Sequence, residues 1–265
     1  MKLLDQILKA IRERYKFYIP AALAVALIAA AFIAAYAPAG DAVTAAAARR
    51  ELPIYCVQSA DKRASLTFDA AWGNEDTQQL IDILGKYNIK ATFFVVGDWA
   101  RKYPESVKAL HDAGHEVMSH SDKHEHMPQL TPMQIAGNLK ACNTDIEAVT
   151  HEPVTLFRFP YGEYDDTSVK AVRGMGLSPI QWDVDSLDWK DLDAAAITKR
   201  VTERVKPGSI VLFHNAAKHT PEALPGIIEK LQSEGYTLVK VSDLIVRDNY
   251  TIDHTGKQIK NPQPS

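Results

Sequence analysis

Apolar and polar residues alternate between two patterns from about residue 63 to residue 241. Short runs rich in β-branched and aromatic residues, typical of buried strands, are separated by longer segments with the apolar spacing of amphipathic helices. The predicted strands are 64–68, 91–96, 115–118, 156–159, 179–184, 209–213 and 236–241. The predicted helices are 75–87, 104–113, 132–149, 166–175, 193–205 and 221–235.

This alternation predicts an α/β fold with a parallel sheet, either closed as a barrel or open and doubly wound. We favour a distorted (β/α) barrel of about seven units. No Gly-x-Gly-x-x-Gly motif follows the first strand, which argues against a dinucleotide site, and polar clusters occur where strands end. Two helix starts are marked, by Thr131 with Pro132 and Gln134, and by Thr220 with Pro221.

Residues 17–40 carry no charge and are long enough to span a bilayer as a helix. The cations that precede this run favour a cytoplasmic N-terminus and an extracytoplasmic domain; they are Lys2, Lys9, Arg12, Arg14 and Lys16. We therefore predict a cytoplasmic segment (1–16), a transmembrane signal-anchor (17–40), a tether and entry to the domain (41–61), the domain itself (62–245) and a polar C-terminal tail (246–265).

A cleaved signal peptide is the alternative, because Ala35, Ala37 and Ala39 form small-x-small cleavage patterns. The hydrophobic run is longer than a usual signal core, which favours the anchor. Outside the cell, the two cysteines Cys56 and Cys142 could form a disulfide, but free cysteines are often small buried core residues, which favours two free thiols.

Composition narrows the function classes. The chain has 46% hydrophobic residues, enough for one full-sized core, and a net charge of −3. No basic stripe accompanies the aromatic residues, so we exclude nucleic acid as a partner.

Two histidines, His120 and His124, follow the predicted strand 115–118. If the turn between them is helical, both rings lie on one face and converge on one point. Neutral imidazole is a common ligand of divalent cations, so the pair predicts half of a metal site. The alternative is a pair of histidines that merely decorates a surface turn.

Four further polar clusters follow predicted strands. Asp69 ends the first strand and is a candidate general base, or else a helix cap. Arg158 could pair with a catalytic carboxylate, and the loop after it offers backbone N–H groups for an oxyanion. His214 ends a very apolar strand; it is either a hydrogen-bonded core residue or, with Asp188 as partner, a general acid.

In this order the five clusters resemble the NodB-homology polysaccharide deacetylases, also called carbohydrate esterase family four. The resemblance covers about residues 62–245 and rests on Asp69, on His120-Ser-Asp-Lys-His124, on Arg158-Phe-Pro-Tyr-Gly162, on Asp188-Trp189 and on Leu212-Phe-His214. Residues 67–73 and 182–189 look most like the sporulation-associated, peptidoglycan-directed branch.

The resemblance implies a distorted (β/α) barrel that removes acetyl groups from glycans with a divalent metal, often zinc. In the mechanism that we expect, the metal is held by His120 and His124, and Asp69 is the base. His214 protonates the leaving amine. The other implied site residues are Arg158 and Asp188, which orient Asp69 and His214, together with Tyr161, whose N–H meets the oxyanion, and Trp189 and Leu212, which wall the acetyl pocket.

One position departs from the family pattern. Where the family has a second aspartate that binds metal, this chain has Ala70. The possible substitutes are Asp69 itself, Glu75, Asp76 and Asp122. We expect a membrane-anchored, metal-dependent deacetylase acting on N-acetyl groups of an acetylated cell-wall polysaccharide, with peptidoglycan as the expected substrate. The alternative is a catalytically weak or inactive glycan-binding member.

Overall fold

The computed structural model describes residues 2–16 and 50–262. The chain divides into two compact units, Met1–Arg49 and Arg50–Ser265. In the first unit a helix spans Lys2–Tyr15 and exposes Leu3, Leu4, Ile7 and Leu8. None of the helices in the described ranges has the length and apolar character needed to cross a membrane. The predicted signal-anchor, residues 17–40, lies outside these ranges.

Eleven strands run through residues 50–262. They are β1 Cys56–Val57, β2 Arg63–Ala70, β3 Thr92–Val95, β4 Glu116–Ser119, β5 Leu156–Arg158, β6 Ser178–Ile180, β7 Val184–Asp185, β8 Ile210–His214, β9 Thr237–Leu238, β10 Tyr250–Ile252 and β11 Lys257–Lys260. The main sheet has the order β6-β5-β4-β3-β2-β8-β7, with β9 paired to β2, and each of these pairings is parallel. The distorted barrel architecture is thus confirmed.

The helices between these strands are Thr77–Lys86, Gly97–Lys102, Pro104–Asp112, Pro132–Thr150, Asp166–Gly174, Ala194–Thr202, Thr220–Ser233 and Val241–Leu244. Most lie within two residues of the predicted bounds. At Thr131 the predicted cap is confirmed, because its hydroxyl accepts the Gln134 N–H in a capping box. Thr220 is not the cap of its helix; His219 precedes the helix, and the Thr220 hydroxyl donates to Asp188 instead.

The predicted strand 179–184 is wrong in one respect, because it divides into β6 and β7. The first part pairs with β5 and the last part with β8. Between them the Gln181 N–H donates to the Ile54 carbonyl, and the Asp183 carboxylate accepts the Ile210 N–H and the Ser209 hydroxyl. One extended run therefore crosses from one edge of the sheet to the other, and this crossing distorts the barrel.

The core surrounds β2, whose residues after Arg63 are all buried. Phe68 stacks on Phe93 and on Phe213, with ring centroids 4.8 and 5.4 Å apart. Three neighbouring strands are thereby joined through one aromatic column, which fixes the height of their carboxyl ends relative to one another.

A small second sheet has the order β1-β11-β10. Two of its strands, β10 and β11, lie in the C-terminal stretch for which the sequence predicts no element, and Gln258 is buried within β11. Cys56 belongs to this sheet, whereas Cys142 lies in the core on the helix Pro132–Thr150. Both thiols are free, so the disulfide that the sequence left open is absent from this part of the chain.

Candidate functional site

The carboxyl ends of β2, β5 and β8 and the loop after β4 meet at one rim of the barrel. The register of β2 against β8 pairs Asp69 with His214. Because parallel strands end at the same rim, this pairing brings the first and last predicted clusters together although they are far apart in sequence. Seven of the nine predicted site residues line one cavity. The other two, Arg158 and Asp188, form hydrogen bonds with the lining residues Asp69 and His214.

Asp69 is ion-paired with Arg158 inside the barrel. Arg158 Nη1 donates to Asp69 Oδ1 at 2.7 Å, and its Nη2 donates to the Gln181 carbonyl at 3.2 Å. Burial opposes ionisation of Asp69, but the attraction of Arg158 and His120 outweighs it and lowers the carboxyl pKa. Asp69 is therefore an ionised carboxylate at neutral pH, as a general base must be.

His120 and His124 converge on the same cavity, with ring centroids 4.9 Å apart. The turn between them is not helical. Ser121 and His124 both have positive φ, and the Ser121 hydroxyl accepts the His124 N–H at 2.8 Å, so a tight loop rather than a helix brings the rings together. Nδ1 of His120 lies 2.9 Å from the Arg158 carbonyl, which leaves its Nε2 facing Asp69.

Both imidazoles are suited to be neutral donors. Burial is the main cause that lowers the pKa of His120, and burial together with the neighbouring ring lowers the pKa of His124 to about 4. Neutral rings are the form that binds a divalent cation. Two donors of the implied metal shell are thus in place.

A third donor does not complete the shell. Across residues 2–16 and 50–262, no three His, Cys, Asp or Glu side chains are grouped so that they could hold a metal ion. Ala70 is buried and offers no ligand. Asp69 Oδ2 is the carboxylate oxygen in contact with the histidines, 3.5 Å from His120 Nε2.

The three other candidate substitutes are engaged elsewhere. Asp76 Oδ2 accepts the Ala216 N–H, Glu75 accepts the Asn74 N–H, and Asp122 forms an ion pair with Arg101 at 2.7 Å. Of the four, Asp69 is the one whose carboxylate contacts the histidine pair, and serving the metal would compete with its use as a base.

His214 is held by Asp188 on the opposite wall. Its Nδ1 lies 2.8 Å from Asp188 Oδ1, and its backbone N–H donates to Asp188 Oδ2, which also accepts the Thr220 hydroxyl. Burial favours the neutral ring, but the hydrogen bond and the charge of Asp188 prevail and raise the pKa of His214. Nε2 is left to face the cavity as a proton donor.

Tyr161 occupies a left-handed conformation at φ 59° in a tight turn. Within this turn the Gly162 N–H donates to the Phe159 carbonyl and the Glu163 N–H donates to the Pro160 carbonyl. The Tyr161 N–H, by contrast, has no hydrogen-bond partner within residues 50–262. A free N–H on a fixed turn is the feature that an oxyanion site requires. The Tyr161 ring packs edge-on against His124, with centroids 4.4 Å apart.

These groups surround a cavity of about 360 Å³. Its lining includes the predicted Asp69, His120, His124, Tyr161, Trp189, Leu212 and His214, together with Ala71, Trp72, Trp182 and Asp185. Sequence analysis missed the contributions of Trp72, Trp182 and Thr220. The signal for Trp72 was its position three residues after Asp69, and for Trp182 its position two residues before the end of the predicted strand 179–184.

Comparisons with known proteins point to one family. The family described as "Polysaccharide deacetylase" matches residues 57–180. Peptidoglycan-N-acetylglucosamine deacetylase PgdA of Listeria monocytogenes is 35% identical over 185 residues, 69% of this chain and 39% of that protein. Peptidoglycan-N-acetylmuramic acid deacetylase PdaA of Bacillus subtilis is 29% identical over 195 residues, 72% of this chain and 74% of that protein.

Among solved structures, a carbohydrate esterase family 4 pseudoenzyme from Bacillus anthracis superposes with a TM-score of 0.72 and 36% identity, covering 74% of this chain and 70% of that one. A mutant of the same protein, described as having restored enzymatic activity, matches with the same TM-score and identity. The chain spans 39–60% of the length of several curated relatives.

Proposed function

Because the chain belongs to the polysaccharide deacetylase family, a family of hydrolases that act on carbon–nitrogen bonds other than peptide bonds, we propose that it removes N-acetyl groups from peptidoglycan. One observation carries the proposal. Asp69 and His214 are register partners on adjacent strands, and their pKa values are shifted in opposite directions. The fold thus favours an ionised base and the protonated form of the acid at one cavity, which are the forms that amide hydrolysis requires.

In this mechanism Asp69 takes a proton from water, whose oxygen attacks the acetyl carbonyl carbon. Arg158 keeps Asp69 ionised and oriented, and the Tyr161 N–H donates to the oxygen that becomes negative. The carbon–nitrogen bond then breaks, acetate leaves, and His214 Nε2 gives its proton to the amine. Asp188 accepts the Nδ1 hydrogen of His214 and stabilises the protonated imidazolium, which carries hydrogen on both nitrogens.

A divalent metal, with zinc as the expected ion, would be held by His120 and His124. When bound, it would polarise the acetyl carbonyl and make water more acidic. With two neutral donors and no free carboxylate in contact, we expect weak retention of the ion. The supporting observation is the buried methyl group of Ala70 where the family pattern has an aspartate.

The setting that we propose is the outer face of a cell membrane. Residues 17–40 would anchor the chain, and the helix Lys2–Tyr15 supports this with an exposed apolar row and an excess of cations, which suit the anionic cytoplasmic surface. Cleavage and secretion is the alternative. Residues 67–73 and 182–189 support a role in the sporulation-associated branch.

The test of activity uses the purified full chain with peptidoglycan and with chitin oligomers, with and without added zinc. Acetate release and bound metal are measured together. Release from either glycan that is lost in His214→Ala supports the proposal. No release at saturating zinc, from protein that remains folded, would reject it.

A glycan-binding protein without turnover is the second candidate. It is favoured by Ala70 and by the likeness to the Bacillus anthracis pseudoenzyme. This candidate predicts retention on insoluble peptidoglycan that is indifferent to Asp69→Asn, whereas the enzyme loses acetate release in that variant. Measuring retention and release on the same preparations separates the two.

A further inference from the structure

We propose that the cleft continues past His214 into a second arm, and that Trp72 is a platform there for a neighbouring sugar ring of the same glycan chain. This inference rests on the proposed function only for the class of ligand. It assigns a binding role to a residue for which the catalytic steps have no use.

The first observation is where exposed aromatic rings occur. Within residues 50–262 five large apolar side chains are exposed, namely Trp72, Met133, Tyr161, Met175 and Trp189. All three aromatic members line the catalytic cavity, and the two methionines do not. Trp72 is 60% exposed, which leaves a large ring surface facing solvent beside the site. Exposed aromatic surface gathered at one cleft indicates a binding site.

The second observation is a cavity of about 480 Å³ next to the first. Its lining includes Asp191, Ala216, Ala217 and Lys218. Trp72, Trp189 and His214 line both cavities. Because the two cavities share His214, a ligand in the catalytic cavity can extend past the proton donor into the second cavity, and the indoles of Trp72 and Trp189 line both.

The third observation is that the loop carrying Trp72 is fixed. Asn215 is 5% exposed; its side-chain oxygen accepts the Ala71 N–H at 3.2 Å, and its nitrogen donates to the carbonyls of Trp72 and Gly73. The Gly73 carbonyl also accepts the Trp99 indole N–H at 2.6 Å. The Trp72 backbone is thus pre-organised, so a ligand need not order it on binding.

The chemistry of the arm suits a pyranose. A sugar ring has an apolar face of C–H groups that stacks on indole, and hydroxyl groups at its edge that can bond to Asp191 and Lys218. Lys218 makes no hydrogen bond or ion pair within residues 50–262, so its ammonium is available. The occupant is therefore the adjacent sugar of the chain, and the protein should prefer a polymer to a single acetylated sugar.

The experiment compares N-acetylglucosamine with its β-1,4 tetramer on the full chain. Dissociation constants are measured by calorimetry in the presence of a chelator, and kcat/KM for acetate release is measured separately with zinc. We expect the tetramer to bind at least about tenfold more tightly than the monomer. Trp72→Ala should lower the affinity for the tetramer by about tenfold and that for the monomer by less, because Trp72 also lines the catalytic cavity; the preference for the tetramer over the monomer should therefore fall.

Two further variants keep the test decisive. Ala217→Trp places a bulky side chain in the lining of the arm and should lose the same tetramer preference, whereas Met133→Ala removes an exposed side chain that lines neither cavity and should change neither constant. Equal weakening of monomer and tetramer in Trp72→Ala, or a tetramer preference that survives Ala217→Trp, would overturn the inference. Absence of acetate release with a preserved length preference would reject the proposed activity alone.

Discussion

Arg158 Nη1 lies 2.7 Å from Asp69 Oδ1 in an ion pair whose arginine is fully buried and whose aspartate is 5% exposed. Removing Asp69 would leave the Arg158 guanidinium enclosed without a counter-charge, and removing Arg158 would leave a largely buried carboxylate whose remaining exposure is to the catalytic cavity. The guanidinium also lies over the Phe94 ring, with its carbon 4.2 Å from the centroid. The pair therefore links the stability of the barrel to the charge state of the candidate base.

Breaking this pair should be costly from either side. Arg158→Met and Asp69→Asn should each lower the free energy of unfolding by about 3–5 kcal/mol, because each leaves one buried charge without its partner. The double variant should be destabilised by less than the sum of the two. Urea unfolding of all four proteins measures this; additive losses would show that the two charges do not interact.

The pH dependence of activity should report His214. It must be protonated to serve as the acid, so acetate release should fall as pH rises through its pKa, which lies above the ordinary value of about 6.5. Asp188→Asn should move this fall to lower pH, and His214→Ala should reduce turnover by about 10²- to 10⁴-fold. An unchanged pH profile in Asp188→Asn would contradict the assignment.

The same histidine contributes to stability with a defined sign. Because its pKa is raised in the fold, its contribution is complete below about pH 6.5 and is lost as pH rises through the raised pKa. The unfolding free energy of wild type relative to His214→Ala should therefore decrease above that pH. A difference that is constant between pH 6 and pH 9 would argue against the Asp188 contact.

Ala70→Asp should convert a two-histidine site into one with an anionic ligand. If the native site lacks a ligand, zinc should bind the variant about tenfold more tightly or better, and activity at limiting zinc should rise. A mutant of the Bacillus anthracis pseudoenzyme with restored enzymatic activity is a precedent for regaining activity by substitution in a similar fold. Zinc titration of both apo proteins decides it, and equal affinities would show that Asp69 already fills the position.

Acid stability should depend on His115, far from the site. Burial, aided by Lys90, lowers its pKa to about 4, while its Nδ1 accepts the Ala91 N–H at 3.2 Å. The neutral His115 ring contributes fully to the free energy of unfolding above about pH 6.5. This contribution, about 3 kcal/mol, is lost as the pH falls towards 4. His115→Asn keeps a hydrogen-bond acceptor for the Ala91 N–H and should reduce the fall in unfolding free energy at low pH. The control variant His254→Asn, at an exposed position, should leave that fall unchanged.

Sequence patterns predicted the strands and helices well where burial is strong and local. The sequence pattern predicted the buried strand β2 and the position of Asp69 near its end, and it predicted the capped helix start at Thr131. The division of 179–184 could not be predicted, because it depends on hydrogen bonds from Ile54 and β8, which are distant in sequence. Local propensity does not contain such partners.

The candidate site shows the same limit. Motif spacing identified the residues that meet at the rim, but not why His120 and His124 converge, since two positive-φ residues replace the expected helical turn. It also could not say which of four acids approaches the histidines. That answer depends on Arg101 and Ala216, which engage Asp122 and Asp76 from other parts of the chain.

The central position of β2 has a consequence for the order of folding. Its partner β8 lies far along the chain: the Thr67 hydroxyl donates to the Val211 carbonyl, 144 residues away. Contacts of such high sequence separation form late, because a long loop must close first. During synthesis from the N-terminus, Asp69 would emerge long before His214. The base and the acid would therefore first share a cavity when nearly the whole domain has been made, so an incomplete chain would have no active site with which to attack glycan.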